Sequence, residues 1–492
     1  MPERTPVPHR GGTQKLTGTP DAAPGRGAVP QTRNHQPGGG RMNAERRTDP
    51  KRTGRAFRTD GGNAAGRIAA WTAAMLLSAA LLFSGTAAGE GQTLKLMIVT
   101  DFHYLSPSLY ENSGGYFEKA LKNGDGKMSY RSRELLEGLI LEARHQRPDA
   151  LIVSGDLSFN GERASHAELA AAFERIRAEG TDVWVIPGNH DINYPYAGKY
   201  TENGYEHLPG TDPEEFRALY AASMIRDPSA KSHMSYAVRL NERFLLAMCD
   251  VCVYDPAPAT GGRCTGETGE WLSGILEEAE RADARVITVT HQSLIPHTDF
   301  MTSAMTIAGG DRMARQMRES GKARLNLSGH LHIQHISEDG GIYDIATGAF
   351  SVPPFRYGLL TLREDGTAEY EARALCAGHI PPDLARAAEH WFEDIVTDKE
   401  RPVLEALGIP EEERNAMLRY AAGLNHAYFS GEFVSTDPEW TEDPAYALWM
   451  KIREKDPFAG YLTDLPGSPE NARSALSLLL PGKNEQEPPH EP

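Results

Sequence analysis

The sequence predicts an α/β protein built in layers, with strands running in mixed directions. Three observations predict it. From about residue 94 to residue 375, short apolar runs of strand character alternate with amphipathic stretches of helical period. Five of those runs end in Gly, Asp, Asn or His, residues that turn a chain and also bind ions. At 492 residues the chain exceeds one domain of ordinary size and has ample length for a large core.

Taken in order, Lys95–Thr100 reads as the first strand and carries Asp101-Phe102-His103 at its carboxyl end. A helix follows over Ser132–Gln146, where Leu135, Leu136, Leu139, Ile140 and Leu141 form an apolar stripe. Leu151-Ile152-Val153 is a buried strand leading into Gly155-Asp156. The helix Ser165–Glu179 gives way to the strand Val183–Ile186, which Pro187 stops before Gly188-Asn189-His190-Asp191. Another helix fits Pro213–Ala222, and Tyr236–Leu240 with Arg243–Met248 forms a hairpin about Asn241-Glu242. The helix near Thr268–Ala282 returns the chain to the strand Arg285–Thr290, which delivers His291. Asn326-Leu327-Ser328 ends the next strand at Gly329-His330-Leu331-His332. Shorter strands at Ile342–Ala346, Gly358–Leu362 and Ala368–Arg373 close the unit.

The five strand-end motifs supply imidazole, carboxylate and amide oxygen but no thiolate. Such a set favours Mn, Fe, Zn, Co or Ni over copper or an iron–sulfur cluster. Side chains on the ends of neighbouring strands converge at one sheet edge, so five loops can build one site. Singly, each motif reads more readily as a turn or a solvated histidine; the ordered set of five does not.

That ordered pattern, D-x-H, G-D, G-N-H-D, H and G-H-x-H, resembles the calcineurin-like metallophosphoesterases over about Leu94 to Leu375. Within them it is similar to the class III cyclic-nucleotide phosphodiesterases and related glycerophosphodiesterases. The resemblance implies a two-sheet β-sandwich flanked by helices and two divalent or mixed-valence metal ions, Mn, Fe or Zn. One ion would take Asp101, His103, Asp156 and His332; the other would take Asp156, Asn189, His291 and His330. Paired ions lower the pKa of bound water and hold both oxygens of an in-line displacement. Asp156 is the natural bridge between them, and neutral Asn189 limits the negative charge that an anionic substrate meets. His190 is assigned to catalysis, donating a proton to the leaving alkoxide. Asp191 is expected to orient that ring and keep it protonated. Phe159 stands where purple acid phosphatases place a metal-binding tyrosine, which disfavours that class. The substrate expected is a small phosphodiester such as a cyclic nucleotide, with a glycerophosphodiester or phosphomonoester as alternative. A binding scaffold that kept the fold without catalysis is the remote rival.

Charge divides the chain. The first 67 residues hold 13 Lys and Arg against 5 Asp and Glu, few large apolar residues, and the composition of a disordered leader. The remainder carries the acidic excess behind the overall net charge of −17, which argues against a grip on polymeric nucleic acid. The apolar run Ile68–Ala88 follows Arg67 and ends in small residues, as an export signal or an uncleaved anchor would. Its positive flank predicts that everything after Gly89 lies outside the cytoplasm, touching the membrane only through residues 68–90.

The metallophosphoesterase-like unit is placed at 91–375, a helical C-terminal domain at 376–480, and a polar tail at 481–492. Leu384, Ala387, Ala388, Trp391 and Ile395 mark a helix over Pro381–Thr397, and Glu411–His426 reads likewise. This domain is expected to cover the site. For Cys249, Cys252, Cys264 and Cys376, a disulfide involving Cys264 or plain buried thiols is preferred to a zinc site at Cys249-x-x-Cys252. Asn123-Gly124-Asp125-Gly126 is read as a surface turn rather than a calcium loop, since Lys127 occupies the next ligand position. His297, six residues after His291, is a candidate to reach substrate, but for it, as for His166, His233 and His335, a structural or surface reading is preferred.

Overall fold

The structure is a computed structural model that describes residues 93–111, 117, 126–466 apart from 203, 232, 256, 299 and 300, and 473–481. The basic leader, the apolar run Ile68–Ala88, the Asn123-Gly124-Asp125 turn and the tail from residue 482 lie outside the described residues.

Two six-stranded sheets carry the fold. In the first, Leu94–Val99, Ala150–Ser154 and Asp182–Ile186 run parallel, with Leu96 opposite Ala150 and Ala150 opposite Asp182. Arg356–Leu362 pairs antiparallel with the far side of Leu94–Val99, followed outward by Thr367–Ala374 and Ala475–Leu479. In the second sheet, Phe244–Met248, Arg285–Val289, Ala323–Ser328 and Ile342–Ala346 are parallel neighbours. Antiparallel strands Tyr236–Arg239 and His335–Asp339 close its two edges. Parallel neighbours put their carboxyl ends on one side of a sheet, and the motif loops emerge there.

Burial explains why the strands read as apolar runs rather than alternations. Phe244–Met248 is buried at every position: Phe244, Leu246 and Met248 join the core between the sheets. Leu245 and Ala247 face the layer under the helices Gly266–Ala282 and Gly310–Ser320. A strand covered on both faces needs apolar side chains at both phases of its two-residue period. On the helix Ser132–Gln146, Leu135, Leu136, Leu139 and Ile140 pack into the main core, but Leu141 is 39% exposed and lies outside the expected stripe. The predicted hairpin forms, pairing Tyr236 with Met248.

Beyond the sandwich, helices Pro382–Ala406, Glu411–Ser430, Pro438–Glu442, Pro444–Ile452 and Pro457–Asp464 enclose a separate core that includes Leu404, Met417, Leu424, Phe433 and Trp449. The first of them runs through Pro402, past the Thr397 end expected from its apolar spacing, because Leu404 in its last turn is wholly buried. After the helices the chain returns to the sandwich. Ala475–Leu479 adds the outermost strand of the first sheet, with Leu476 and Leu478 packed on its core. Among the described residues, no helix is long and apolar enough to cross a membrane.

Candidate metal centre

The five loops meet because their backbones are tied to one another. Asp101 N–H donates to Gly155 O at 3.1 Å, His103 N–H to Asp156 O at 3.0 Å, and Gly329 N–H to His291 O at 2.9 Å. Close approach needs glycine at two points. A Cβ at Gly188 would overlap the Asp156 backbone and carboxylate, and one at Gly329 would overlap Thr100 Oγ1 and Asp101 Oδ2. Five of the expected ligands adopt left-handed backbone: Asp101 (φ 51°), His103 (43°), Asp156 (48°), His330 (68°) and His332 (59°). Residues with side chains seldom accept that conformation, and it gathers where function fixes the geometry.

Six side chains then form two adjoining groups. Asp101, His103 and His332 make one, and Asp156, His291 and His330 the other, with ligand atoms in each within 4.8 Å of one another. In the first, His332 Nε2 lies 3.4 Å from Asp101 Oδ1 and 3.2 Å from His103 Nε2. In the second, His291 Nε2 lies 3.4 Å from Asp156 Oδ1 and 3.1 Å from Asn189 Oδ1. Asp156 reaches both, since its Oδ2 is 3.5 Å from His103 Nε2. Backbone carbonyls set two of the rings. His291 Nδ1 is 2.9 Å from Ser154 O, and His330 Nε2 is 3.0 Å from Ala304 O. Those contacts turn Nε2 of His291 and Nδ1 of His330 toward the group, as outer partners of metal-ligating histidines do.

The donor set fits two divalent cations. Asp101 Oδ1 is buried and accepts no hydrogen bond, although Oδ2 of the same carboxylate accepts from Thr100 Oγ1 and His330 N–H, both at 2.8 Å. Burial favours a neutral Asp156, but the surrounding His291, His190 and His103 overcome it and hold the carboxyl well below the ordinary carboxylate range. Burial also opposes charge on His291, yet the Asp156 carboxylate beside it raises that imidazole to about 9. His103 and His330 go the other way: burial, first of all, lowers both, His330 to about 4. Two neutral imidazoles and two ionised carboxylates are the protonation states that metal binding requires.

His190 stands over the first group, its ring edge-on to His103 at 5.0 Å between centroids and stacked on Tyr194 at 4.3 Å. Its Nδ1 lies 3.0 Å from Phe159 O and 3.1 Å from Asn160 Oδ1. Asp191 was expected to orient this ring; the hydrogen bonds described for it run to its own loop and the neighbouring one. Its buried carboxylate accepts from Leu157 N–H (3.1 Å), Ser158 N–H (2.8 Å), Ser158 Oγ (2.9 Å) and Gly188 N–H (2.8 Å). The turn closed by Asp191 N–H on Gly188 O folds the side chain back onto its own loop, where it ties the Asp156 loop to the Asn189 loop. Sequence reasoning missed Asn160 and Tyr194. Each lies four residues beyond a site residue, Asp156 and His190 respectively, and that short polar or aromatic spacing was the available signal.

Other candidates have structural partners. His297 is buried, with Nε2 at 3.3 Å from Asp344 Oδ2 and Nδ1 at 3.0 Å from His335 Nδ1, so it is engaged inside the fold. His166 is wholly buried behind the site, with Nδ1 at 2.9 Å from Tyr220 Oη and Nε2 at 3.1 Å from Asp191 O. His233 is buried as well, and its Nδ1 accepts from Ser235 N–H at 3.3 Å. All four cysteines are free thiols. Cys252 donates from Sγ to Pro187 O at 3.3 Å, and Cys249 to Ala247 O at 3.3 Å, so the two do not converge on an ion. The C-terminal helices reach the site from one side: Leu331 and Ile333, flanking His332, pack into their core, and Gln334 N–H donates to Phe429 O at 3.0 Å.

The calcineurin-like phosphoesterase family matches residues 94–334, from the first site strand to two residues beyond His332. A stretch of 65 residues is 45% identical to a probable cyclic nucleotide phosphodiesterase of Rhodococcus erythropolis, covering 13% of this chain and 21% of that relative. Among solved structures, the chain is similar to a dimetal phosphatase from Danio rerio, with 15% identity, 57% of this chain and 96% of that one covered, and a TM-score of 0.40. It is similar also to a purple acid phosphatase from yellow lupin, Lupinus luteus, with 15% identity, coverage of 61% and 54%, and a TM-score of 0.41. Family match and converging motifs agree: residues 94–334 belong to the calcineurin-like phosphoesterases, a family of metal-dependent phosphoester hydrolases.

Proposed function

We propose that this chain is an exported phosphodiesterase of the class III type, acting on small phosphodiesters such as cyclic nucleotides. The observation that carries the reading is Asp156, whose two oxygens lie within 3.5 Å of an imidazole in each group. Asp101, His103, Asp156 and His332 would hold one divalent ion, and Asp156, Asn189, His291 and His330 the other. Two such ions supply a nucleophile at neutral pH and clamp the phosphoryl oxygens. The chain's own residues do the rest. His190, its Nδ1 held by Phe159 O, would pass a proton to the leaving alkoxide. Stacking on Tyr194 limits rotation of the ring, and Asn160 fixes its tilt. Buried Asn189, a neutral ligand, would keep repulsion of an anionic substrate low.

The phosphodiester preference is supported by the Rhodococcus relative's printed activity, and by Phe159, which packs against Phe117 and Tyr200 and offers no phenolate. Export is inferred from the apolar run Ile68–Ala88 and its positive flank, and it points to scavenging or envelope turnover rather than second-messenger control. One assay panel tests the substrate reading: cyclic nucleotides, glycerophosphodiesters and phosphomonoesters offered to the metal-loaded protein. Preference for cyclic nucleotides is the expected result. Preference for monoesters would overturn the diesterase assignment, and no hydrolysis with two ions bound would overturn catalysis altogether. A reporter fused after Glu90 tests export, and reporter activity confined to the cytoplasm would contradict it.

A further inference from the structure

A second set of ligating side chains lies outside the strand-end centre, where the sandwich passes into the C-terminal helices. Glu142 and His145 stand one turn apart near the end of the helix Ser132–Gln146, and His379 ends the short turn Ala377–His379 that precedes the helix Pro382–Ala406. Their ligand atoms lie within 4.8 Å of one another. His379 Nδ1 is 2.7 Å from Glu142 Oε2, and His145 Nδ1 is 3.8 Å from Glu142 Oε1. The two rings meet edge to face at 5.8 Å.

We propose that Glu142, His145 and His379 form a third divalent-cation site, with zinc the preferred ion. Several features separate this cluster from an ordinary surface ion pair. The carboxylate is 2% exposed and held in place: Oε1 accepts from Tyr357 Oη at 2.7 Å and Gln146 Nε2 at 2.9 Å, and Oε2 from Cys376 N–H at 3.3 Å. Outer partners of this kind orient a metal-ligating carboxylate. The imidazoles lie on its open side, His145 at 69% exposure and His379 at 22%, so a cation can enter from solvent. The spacing is ligand-like. Glu142-x-x-His145 sets carboxylate and imidazole on one face of a helix, a pairing that helical metal sites use. Two imidazoles and one carboxylate are a donor set that suits zinc. A cation there would take the place of the hydrogen bond between His379 Nδ1 and Glu142 Oε2. Bound there, zinc joins the sandwich to the start of the C-terminal helices.

The test is zinc content after equilibration with excess zinc and desalting. The native chain should hold one ion more than His145→Ala/His379→Ala. The difference should persist in an Asp101→Asn/Asp156→Asn background, where the strand-end centre is disabled. Failure of that centre would lower both members of each pair alike, so the two readings fail separately. Because His145 is exposed, His145→Ala alone serves as the variant that cannot disturb folding, and it should weaken zinc binding by about tenfold or more. In the Asp101→Asn/Asp156→Asn background zinc should raise the melting temperature, and adding His145→Ala should abolish most of that rise. Equal zinc content across both pairs would overturn the proposal, as would a zinc-induced rise untouched by His145→Ala.

Discussion

The two halves of the strand-end centre are built differently. In the Asp156 half, His291 and His330 are each turned by a backbone carbonyl, Ser154 O and Ala304 O, and Asn189 sits at 3.1 Å from His291. In the Asp101 half, His103 Nδ1 and Asp101 Oδ1 are buried without a hydrogen-bond partner. Backbone carbonyls, one at a buried strand end and one in an exposed turn, shape the first half before any cation arrives. The second half relies on the cation itself to complete Asp101 Oδ1, which burial would otherwise penalise. Outer partners are worth about 10- to 100-fold in metal affinity, so the same ligand types should give unequal ions.

The largest effect belongs to the residue the halves share. Asp156→Asn should abolish turnover and weaken both ions together, because one carboxylate serves two cations; elemental analysis and assay of the purified variant check this. Two ions retained at full activity would remove the bridge from the account. Next comes His190→Ala, which should keep both ions and lose about a hundred- to ten-thousand-fold in turnover. The loss should be greater for cyclic nucleotides, whose alkoxide needs a proton, than for bis-nitrophenyl phosphate. Equal losses would confine His190 to phosphoryl binding, and loss of an ion would make it a ligand.

A smaller effect separates the halves directly. Titration with a chromophoric chelator should resolve two classes of ion about 10- to 100-fold apart, the weaker one assigned to the Asp101 half. His103→Ala should erase the weaker class and leave the tighter; a single class in the native chain would break the comparison. Smallest is Asp191→Asn, which should cost on the order of 2 kcal/mol in folding free energy, since backbone donors from two loops lose their carboxylate acceptor. The pH dependence of turnover should keep its shape. A displaced limb there would restore the role in protonating His190 that the geometry assigns elsewhere.

Much of this centre was legible in the sequence for one physical reason. Ligands on strand ends are placed by the backbone, and strands betray themselves by their apolar runs, so Asp101, Asp156, Asn189, His291 and His330 fall where the motif order puts them together. Side chains in turns are another matter. Asp191 and His190 are neighbours in sequence, yet the turn closed on Gly188 O sends the carboxylate to Leu157 and Ser158 and leaves the ring to Phe159 O. No periodicity encodes that choice. Distance in sequence hid the rest. Ala475–Leu479 reads as the end of a helical region, and only its pairing with Thr367–Ala374 makes it a strand. His297 looks available in a loop, but Asp344, 47 residues on, holds it inside the fold.

The most direct test of the central claim is anomalous diffraction from crystals of the native chain loaded with manganese. Two peaks are expected at the strand ends, about 3.5–4 Å apart, with one Asp156 oxygen directed to each. The peak beside Asp101 should fade first as manganese is withdrawn. A single peak, or two peaks of which only one touches Asp156, would contradict the account.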